Sequence, residues 1–188
     1  MKRVITILLL LLVSLHSDYF TDARTAYHNK DYKNSISILD KACQNGTSDA
    51  CFVLGIMYDT GEVVKQDSDL AVTLYTKACD ASMSNSCGRL GTIYFHGISV
   101  TKDQQRGKAL YSKACYSGHA ESCIRLGGIY ENSDGIENQP IVTQRKLLPT
   151  FFNYDDDMRK AKDLYSKACE LGNSKGCTLF KKLNYLNL

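Results

Sequence analysis

The sequence has little net charge and, beyond its N-terminus, no long hydrophobic run. Lysine and arginine total 23 against 20 aspartates and glutamates, so the basic footprint of a nucleic-acid-binding protein is missing. Hydrophobic residues make up 44% of the 188 positions and charged residues 23%, which is typical of a globular chain and not of a disordered one. These features predict a globular protein that binds no nucleic acid.

Common catalytic motifs are also missing. The sequence contains neither G-x-S-x-G nor H-E-x-x-H, and its histidines share no metal-ligand spacing, so we expect no metal and no cofactor. S-x-x-K occurs once, from Ser99 to Lys102, without the S-D-N and K-T-G motifs that accompany it in serine β-lactamases. Motif spacing therefore indicates no enzyme and identifies no nucleophile.

The hydrophobic run at the N-terminus is short. It spans Val4–Val13 with one threonine inside it, about half of the roughly 20 residues that cross a bilayer. Lys2 and Arg3 precede it and small or polar residues follow, which is the order of a secretory signal peptide. We predict a signal peptide over residues 1–17 and an exported mature chain over 18–188 without a stable membrane span. An N-terminal membrane anchor is the alternative.

Eight cysteines follow, and their spacing shows a repeat. The first cysteines of three successive pairs are 36 residues apart, as are the second ones, and the fourth pair lies 54 residues after the third because of an insertion at about 132–154. A period of this length is typical of a solenoid built from supersecondary units. The sequence therefore predicts an all-α, TPR-related α/α solenoid of about four and a half repeats. The pairs are Cys43 and Cys51, Cys79 and Cys87, Cys115 and Cys123, and Cys169 and Cys177.

Each repeat is predicted to form two helices. An aspartate twelve residues before the first cysteine is suited to cap the first helix, and a residue three positions after that cysteine is suited to end it with a positive φ. A serine two positions later is predicted to cap the second helix in three repeats. The second helix carries L-G-x-x-Y, whose glycine lets a neighbouring helix approach closely. The aspartates are Asp31, Asp67, Asp103 and Asp157; the helix-ending residues are Gly46, Ser82, Gly118 and Gly172; the serines are Ser48, Ser84 and Ser174.

The two cysteines of each pair lie on opposite sides of the predicted turn. The first ends one helix and the second begins the next, so both side chains stand at the same end of an antiparallel hairpin. Small residues beside them permit the Cα separation of about 4.4–6.8 Å that a bridge needs. An even cysteine count in an exported chain favours disulfides. We therefore predict four bridges, each within one C-x7-C pair.

The aspartate cap, Y-x-K-A-C, L-G-x-x-Y-x-x-G and the 36-residue period together resemble the Sel1-like repeats. The cysteine in each helix narrows the resemblance to the disulfide-bridged Helicobacter-type cysteine-rich proteins. It covers residues 20–186. The resemblance implies a secreted or periplasmic protein with penicillin binding and weak β-lactam hydrolysis. Sel1-like repeats in general serve as adaptor surfaces, which implies a non-enzymatic interaction module as the alternative.

A candidate ligand site lies on the second helices, on the concave face expected for the solenoid. Positions two, five and eight after the second cysteine fall on the face opposite the core, and two arginines one repeat apart are suited to hold a carboxylate. The expected partners are a peptide, a cell-wall fragment, a β-lactam, or a host or envelope protein. The insertion, with its apolar cluster, is expected close by, and a merely solvated helix face is the alternative. The candidate site residues are Arg89, Thr92, Phe95, Arg125 and Glu131.

Overall fold

The computed structural model describes residues 19–132 and 154–185. The predicted signal peptide and nearly all of the predicted insertion therefore lie outside the described residues. The described part contains nine helices and no strand, which confirms the all-α prediction. Helix α1 is described over 19–28, and the others are α2 Tyr32–Gln44, α3 Ser48–Thr60, α4 Ser68–Asp80, α5 Ser84–His96, α6 Gln104–Tyr116, α7 Ala120–Glu131, α8 Tyr154–Glu170 and α9 Ser174–Tyr185.

Each repeat forms two helices, as predicted, and most of the helix ends lie at the predicted residues. Asp31, Asp67 and Asp103 each accept a hydrogen bond from the amide three residues on, at 2.9–3.2 Å. The four residues predicted to end the first helices all have positive φ, between 66° and 96°. Local hydrogen bonding and backbone preference thus set these boundaries.

The caps predicted at Asp157 and at the serines of the second helices are wrong. Asp157 lies inside α8, which begins at Tyr154; its carboxylate instead accepts a hydrogen bond from Lys160 at 3.2 Å. The second helices begin with the predicted serines, so that their caps fall one residue earlier. In the last repeat, for example, the Asn173 side chain accepts hydrogen bonds from the amides of Lys175 and Gly176. Asparagine caps a helix as well as serine does.

The four predicted disulfide bridges, which staple the two helices of each hairpin together, are present. Cys43–Cys51, Cys115–Cys123 and Cys169–Cys177 are bonded, with Cα atoms 4.4–4.7 Å apart. Cys79 and Cys87 are disulfide-bonded as well, and the described residues include no free cysteine. Each bridge closes a nine-residue loop across one hairpin turn, as the C-x7-C spacing predicted.

The chain divides into two compact units, Met1–Ser86 and Cys87–Leu188. The core of the first unit lies among α1 to α4 and includes Leu39, Leu54 and Leu74. The core of the second unit lies among α6 to α9 and includes Tyr111, Leu126, Met158, Tyr165 and Leu183. Each unit therefore has a hydrophobic core of its own.

Candidate binding site

A buried tyrosine in the first helix of a repeat packs into a glycine notch on the preceding second helix. A Cβ built on Gly55, Gly91 or Gly127 would lie 2.6–2.7 Å from the ring of Tyr75, Tyr111 or Tyr165 respectively. These rings are at most 1% exposed. The sequence predicted that a neighbouring helix approaches closely at these glycines. The structure shows that the group in contact with each glycine is a tyrosine ring, which the sequence analysis did not predict.

Each of these tyrosines also donates a hydrogen bond to the second helix that it packs on. The acceptors are the carboxylate of Asp59 at 3.1 Å, the hydroxyl of Thr92 at 3.0 Å and the carboxylate of Glu131 at 2.7 Å. Burial, followed by the nearby Glu131 carboxylate, raises the pKa of the Tyr165 hydroxyl. The hydroxyl therefore stays protonated and donates at any physiological pH.

These contacts give three of the predicted site residues a structural role. Thr92 holds Tyr111, and Glu131 holds Tyr165 and also accepts a hydrogen bond from Lys182 at 3.1 Å, with a side chain only 11% exposed. Phe95 is half-buried and packs against the Tyr111 ring at 6.1 Å between centroids. A ligand at these residues would have to compete with the packing of the repeat.

The two predicted arginines are exposed on α5 and α7. The Arg125 guanidinium forms an ion pair of 3.2 Å with Glu121 one turn earlier on the same helix. Arg89 also has an interaction partner. Both cations are accessible, but each already has a partner that an anionic ligand would have to displace.

One serine of the second unit lies beside an imidazole. Nδ1 of His119 is 2.7 Å from Oγ of Ser122, and burial lowers the pKa of the His119 imidazole below its usual value, with Glu121 opposing and Arg125 adding to the effect. A neutral imidazole next to a hydroxyl is the arrangement of an activated serine. However, Ser122 is 0% exposed, so its oxygen cannot reach the carbonyl of a substrate in this conformation.

The S-x-x-K stretch lies on the surface. Ser99 is exposed in the loop between α5 and α6, with a φ of 56°. The motif works from the start of a helix inside a pocket, with a base positioned next to the serine. The loop conformation therefore gives Ser99 no catalytic surroundings.

An apolar groove of about 270 Å³ lies in the first unit. Residues of α1 and α3 form its walls, the buried Ser35 and Leu39 of α2 form its floor, and Glu62 and Val63, which follow α3, also line it. Phe20 and Ile56, which line it, are 47% and 37% exposed, a costly exposure for large apolar side chains unless a partner covers them. The wall and floor residues are Phe20, Ala23, Arg24, Tyr27, Ser35, Leu39, Val53, Ile56, Met57 and Thr60.

Sequence reasoning missed this groove, although it named part of the pattern. Val53 and Ile56 occupy the positions two and five after the second cysteine that hold Arg89 and Thr92 one repeat later. The opposite wall belongs to α1, which precedes the first cysteine pair and carries no repeat motif. The signal that would have found it is the apolar spacing of Phe20, Ala23 and Tyr27, which share one helix face.

No helix among the residues that the structure describes is both long enough and apolar enough to span a bilayer. Among the same residues, no group of three or more histidine, cysteine, aspartate or glutamate side chains is arranged to hold a metal ion.

Known proteins match the fold. The model of the Sel1 repeat matches residues 48–83, 84–119, 120–141 and 155–173, whereas no curated protein matches the sequence. A Sel1 repeat protein from Oxalobacter formigenes is 19% identical over 87% of this chain and 62% of that one, with a TM-score of 0.65. The protective antigen c5321 of uropathogenic Escherichia coli, which displays an SLR fold, is 23% identical over 89% and 33%, with a TM-score of 0.69.

Cysteine rich protein B from Helicobacter pylori is 25% identical over 75% of this chain and 93% of that one, with a TM-score of 0.49. This chain spans less than two thirds of the length of the Oxalobacter formigenes and Escherichia coli proteins. The likeness to those two concerns the fold.

Proposed function

Because the chain belongs to the Sel1 repeat family, we propose that it is a disulfide-stapled protein-interaction module that binds a peptide segment of another protein. The observation that carries this proposal is the apolar groove of the first unit, with large hydrophobic side chains exposed in both walls. Binding hot spots are apolar or aromatic anchors seated in such desolvated pockets. A rigid, bridged scaffold lowers the entropy lost on binding.

The proposal is tested by selecting a phage-displayed peptide library on the immobilised, oxidised protein. Ile56→Lys places a charge in the groove at a 37% exposed position, so the core should remain intact. We expect selected peptides to bind the variant at least tenfold more weakly, which corresponds to about 1.4 kcal/mol.

The matched control is the double variant Arg89→Ala with Arg125→Ala, which alters the arginine surface of the second unit. We expect it to bind the selected peptides like the wild type. Loss of binding in this variant with retention in Ile56→Lys would move the site to the arginines and overturn the groove proposal.

Penicillin binding with slow β-lactam hydrolysis, the activity that the family resemblance implies, is the second candidate. The specific observation in its favour is the hydrogen bond between Ser122 and the neutral His119 imidazole. The full burial of Ser122 weighs against it. The test is covalent labelling by a fluorescent penicillin, together with turnover of a chromogenic β-lactam; activity that disappears in Ser122→Ala would favour the enzyme.

We also propose that the protein is exported and folds in an oxidising compartment, the periplasm or outside the cell. Four bridges within hairpins support this, because disulfides are rare in reducing compartments. The signal sequence predicted over residues 1–17 provides the route, and the mature chain begins at about residue 18.

A further inference from the structure

The two walls of the groove present matching helix faces. On α3 the lining positions are Val53, Ile56, Met57 and Thr60, spaced as one continuous face. On α1 the lining positions repeat the same spacing from Phe20 to Tyr27. Pockets for drug-sized ligands usually measure about 300–1,000 Å³, so about 270 Å³ suits one large side chain or two smaller ones, not a whole organic ligand.

The floor of the groove is apolar apart from one hydroxyl, whose proton already forms a hydrogen bond. Leu39 is 1% exposed, and the hydroxyl of the buried Ser35 already donates to the carbonyl of Ala23 at 2.9 Å. A polar group pushed to the bottom would lose its hydration without gaining a hydrogen bond from this hydroxyl donor. The groove therefore selects an apolar anchor.

The rim carries two charges of opposite sign. Arg24 on the α1 wall and Glu62 beyond the end of α3 both line the groove and are exposed. Among the described residues neither forms an ion pair; the Arg24 side chain has only a 3.4 Å contact from its Nε to the ring of His28. Both charges are thus available to a bound segment.

We propose that the groove binds a peptide segment in which an apolar anchor, aromatic or branched, is flanked on one side by an acidic residue and on the other by a basic one. The acidic residue pairs with Arg24 and the basic residue with Glu62, while the anchor fills the groove. This inference rests on the proposed function and adds the chemistry of the partner. Complementary rim charges fix register and orientation more than they raise affinity.

The experiment uses three synthetic tridecapeptides of glycine and serine with one central phenylalanine. The residues two positions before and two positions after the phenylalanine are lysine and glutamate in the first peptide, two glutamates in the second and two lysines in the third. Each is titrated into the oxidised, isotope-labelled protein, and binding is followed by the amide chemical shifts of α1 and α3. Exposed ion pairs contribute about 0.2–1 kcal/mol, so we expect the mixed peptide to bind up to about fivefold more tightly than the other two.

Single charge reversals sharpen the test. Arg24→Glu makes both rim charges negative and should turn the preference to the two-lysine peptide. Glu62→Lys makes both positive and should turn it to the two-glutamate peptide. Opposite switches in these two variants would support the inference.

Three outcomes are distinguishable. If all peptides bind equally and Ile56→Lys abolishes that binding, the groove binds peptides but the proposed flanking charges are wrong. If none shifts the amides of α1 or α3, and library selection also yields no groove-dependent binder, the proposed function fails as well. If the shifts appear only around Arg89 and Arg125, both the groove and its charges are rejected.

Discussion

At the scale of single residues, the glycine notch of α7 has a matched control beside it. Gly127 and Gly128 are neighbours on α7, yet a Cβ on Gly127 would lie 2.6 Å from the Tyr165 ring, whereas one on Gly128 would lie 3.8 Å from the Tyr165 hydroxyl. The first distance is a clash and the second an ordinary contact. The adjacent pair thus separates the packing of the notch from helix propensity.

We expect Gly127→Ala to destabilise the protein by roughly 1–3 kcal/mol, as overpacking does, and Gly128→Ala to stabilise it by up to about 1 kcal/mol through helix propensity. Urea unfolding followed by circular dichroism measures both. Equal effects of the two substitutions would show that the ring and α7 adjust freely, contrary to a rigid notch.

His119 makes the stability of the protein depend on pH. Its pKa is lowered in the folded state, chiefly because burial penalises the charged ring; Ser122, Gly88, Glu121 and Arg125 are the groups around it. Below the unfolded pKa of about 6.5 the unfolded chain therefore binds more protons than the folded one. The contribution of the neutral His119 to the free energy of unfolding is fully present above that pH. It is lost as the pH falls through the unfolded pKa toward the folded one.

The prediction is that the unfolding midpoint in urea is lower at pH 5.5 than at pH 7.5 and that His119→Asn reduces this difference. His119 occupies the N-cap position of α7 without a side-chain cap hydrogen bond; asparagine is favoured at that position and does not titrate. Because carboxylates also titrate in acid, the comparison of the two proteins carries the test. An unchanged difference in the variant would exclude His119 as its source.

At the scale of helices, each repeat is coupled to the next through the buried tyrosine in the first helix of the next repeat. Tyr165 of α8 packs on Gly127 of α7 and donates to Glu131 at the end of α7. The Cys115–Cys123 bridge holds the start of α7 against the end of α6. Loosening this staple should therefore disturb α8, which contains neither cysteine.

We expect Cys115→Ser with Cys123→Ser to cost roughly 2.5 kcal/mol, the chain-entropy value for a nine-residue loop. Amide exchange should become faster in α8 as well as in α6 and α7. The control is Cys169→Ser with Cys177→Ser, which should affect mainly α8 and α9. Faster exchange confined to α6 and α7 in the first variant would mean that neighbouring repeats are energetically independent.

Most elements of the fold could be predicted because their causes are local. Aspartate caps, residues with positive φ and cysteines eight apart act within one hairpin, and the sequence shows all three. The prediction failed at Asp157, which lies inside α8 and accepts a hydrogen bond from Lys160 one turn later instead of capping the helix.

The candidate site was less predictable because it depends on packing between helices. Thr92 and Glu131 look like free surface positions until Tyr111 and Tyr165 are placed on them. Conversely, the groove exists because α1, α2 and α3 leave a gap between apolar faces. Periodicity gives the face of a helix but not the distance to the next helix.

At the scale of the whole molecule, the bridges connect folding to location. We expect the protein with residues 1–17 to be recovered outside the cytoplasm with a mature N-terminus near residue 18 and no thiol that reacts with maleimide under denaturing conditions. A version lacking residues 2–17 should remain in the cytoplasm with reactive thiols, since reducing compartments keep cysteines reduced. N-terminal sequencing and mass spectrometry distinguish the two. Full export of the shortened version would contradict the predicted signal.

The staples also determine how far the chain can be stretched. The cysteines of a pair are eight positions apart in the sequence, about 28 Å of extended backbone. In Cys43–Cys51, Cys115–Cys123 and Cys169–Cys177 the bridge holds their Cα atoms 4.4–4.7 Å apart. Each of these hairpins therefore withholds roughly 23 Å of contour length from a pulling force. Under tension the oxidised protein is a shorter tether than its sequence length implies, and a reductant lengthens it in equal steps, one for each bridge.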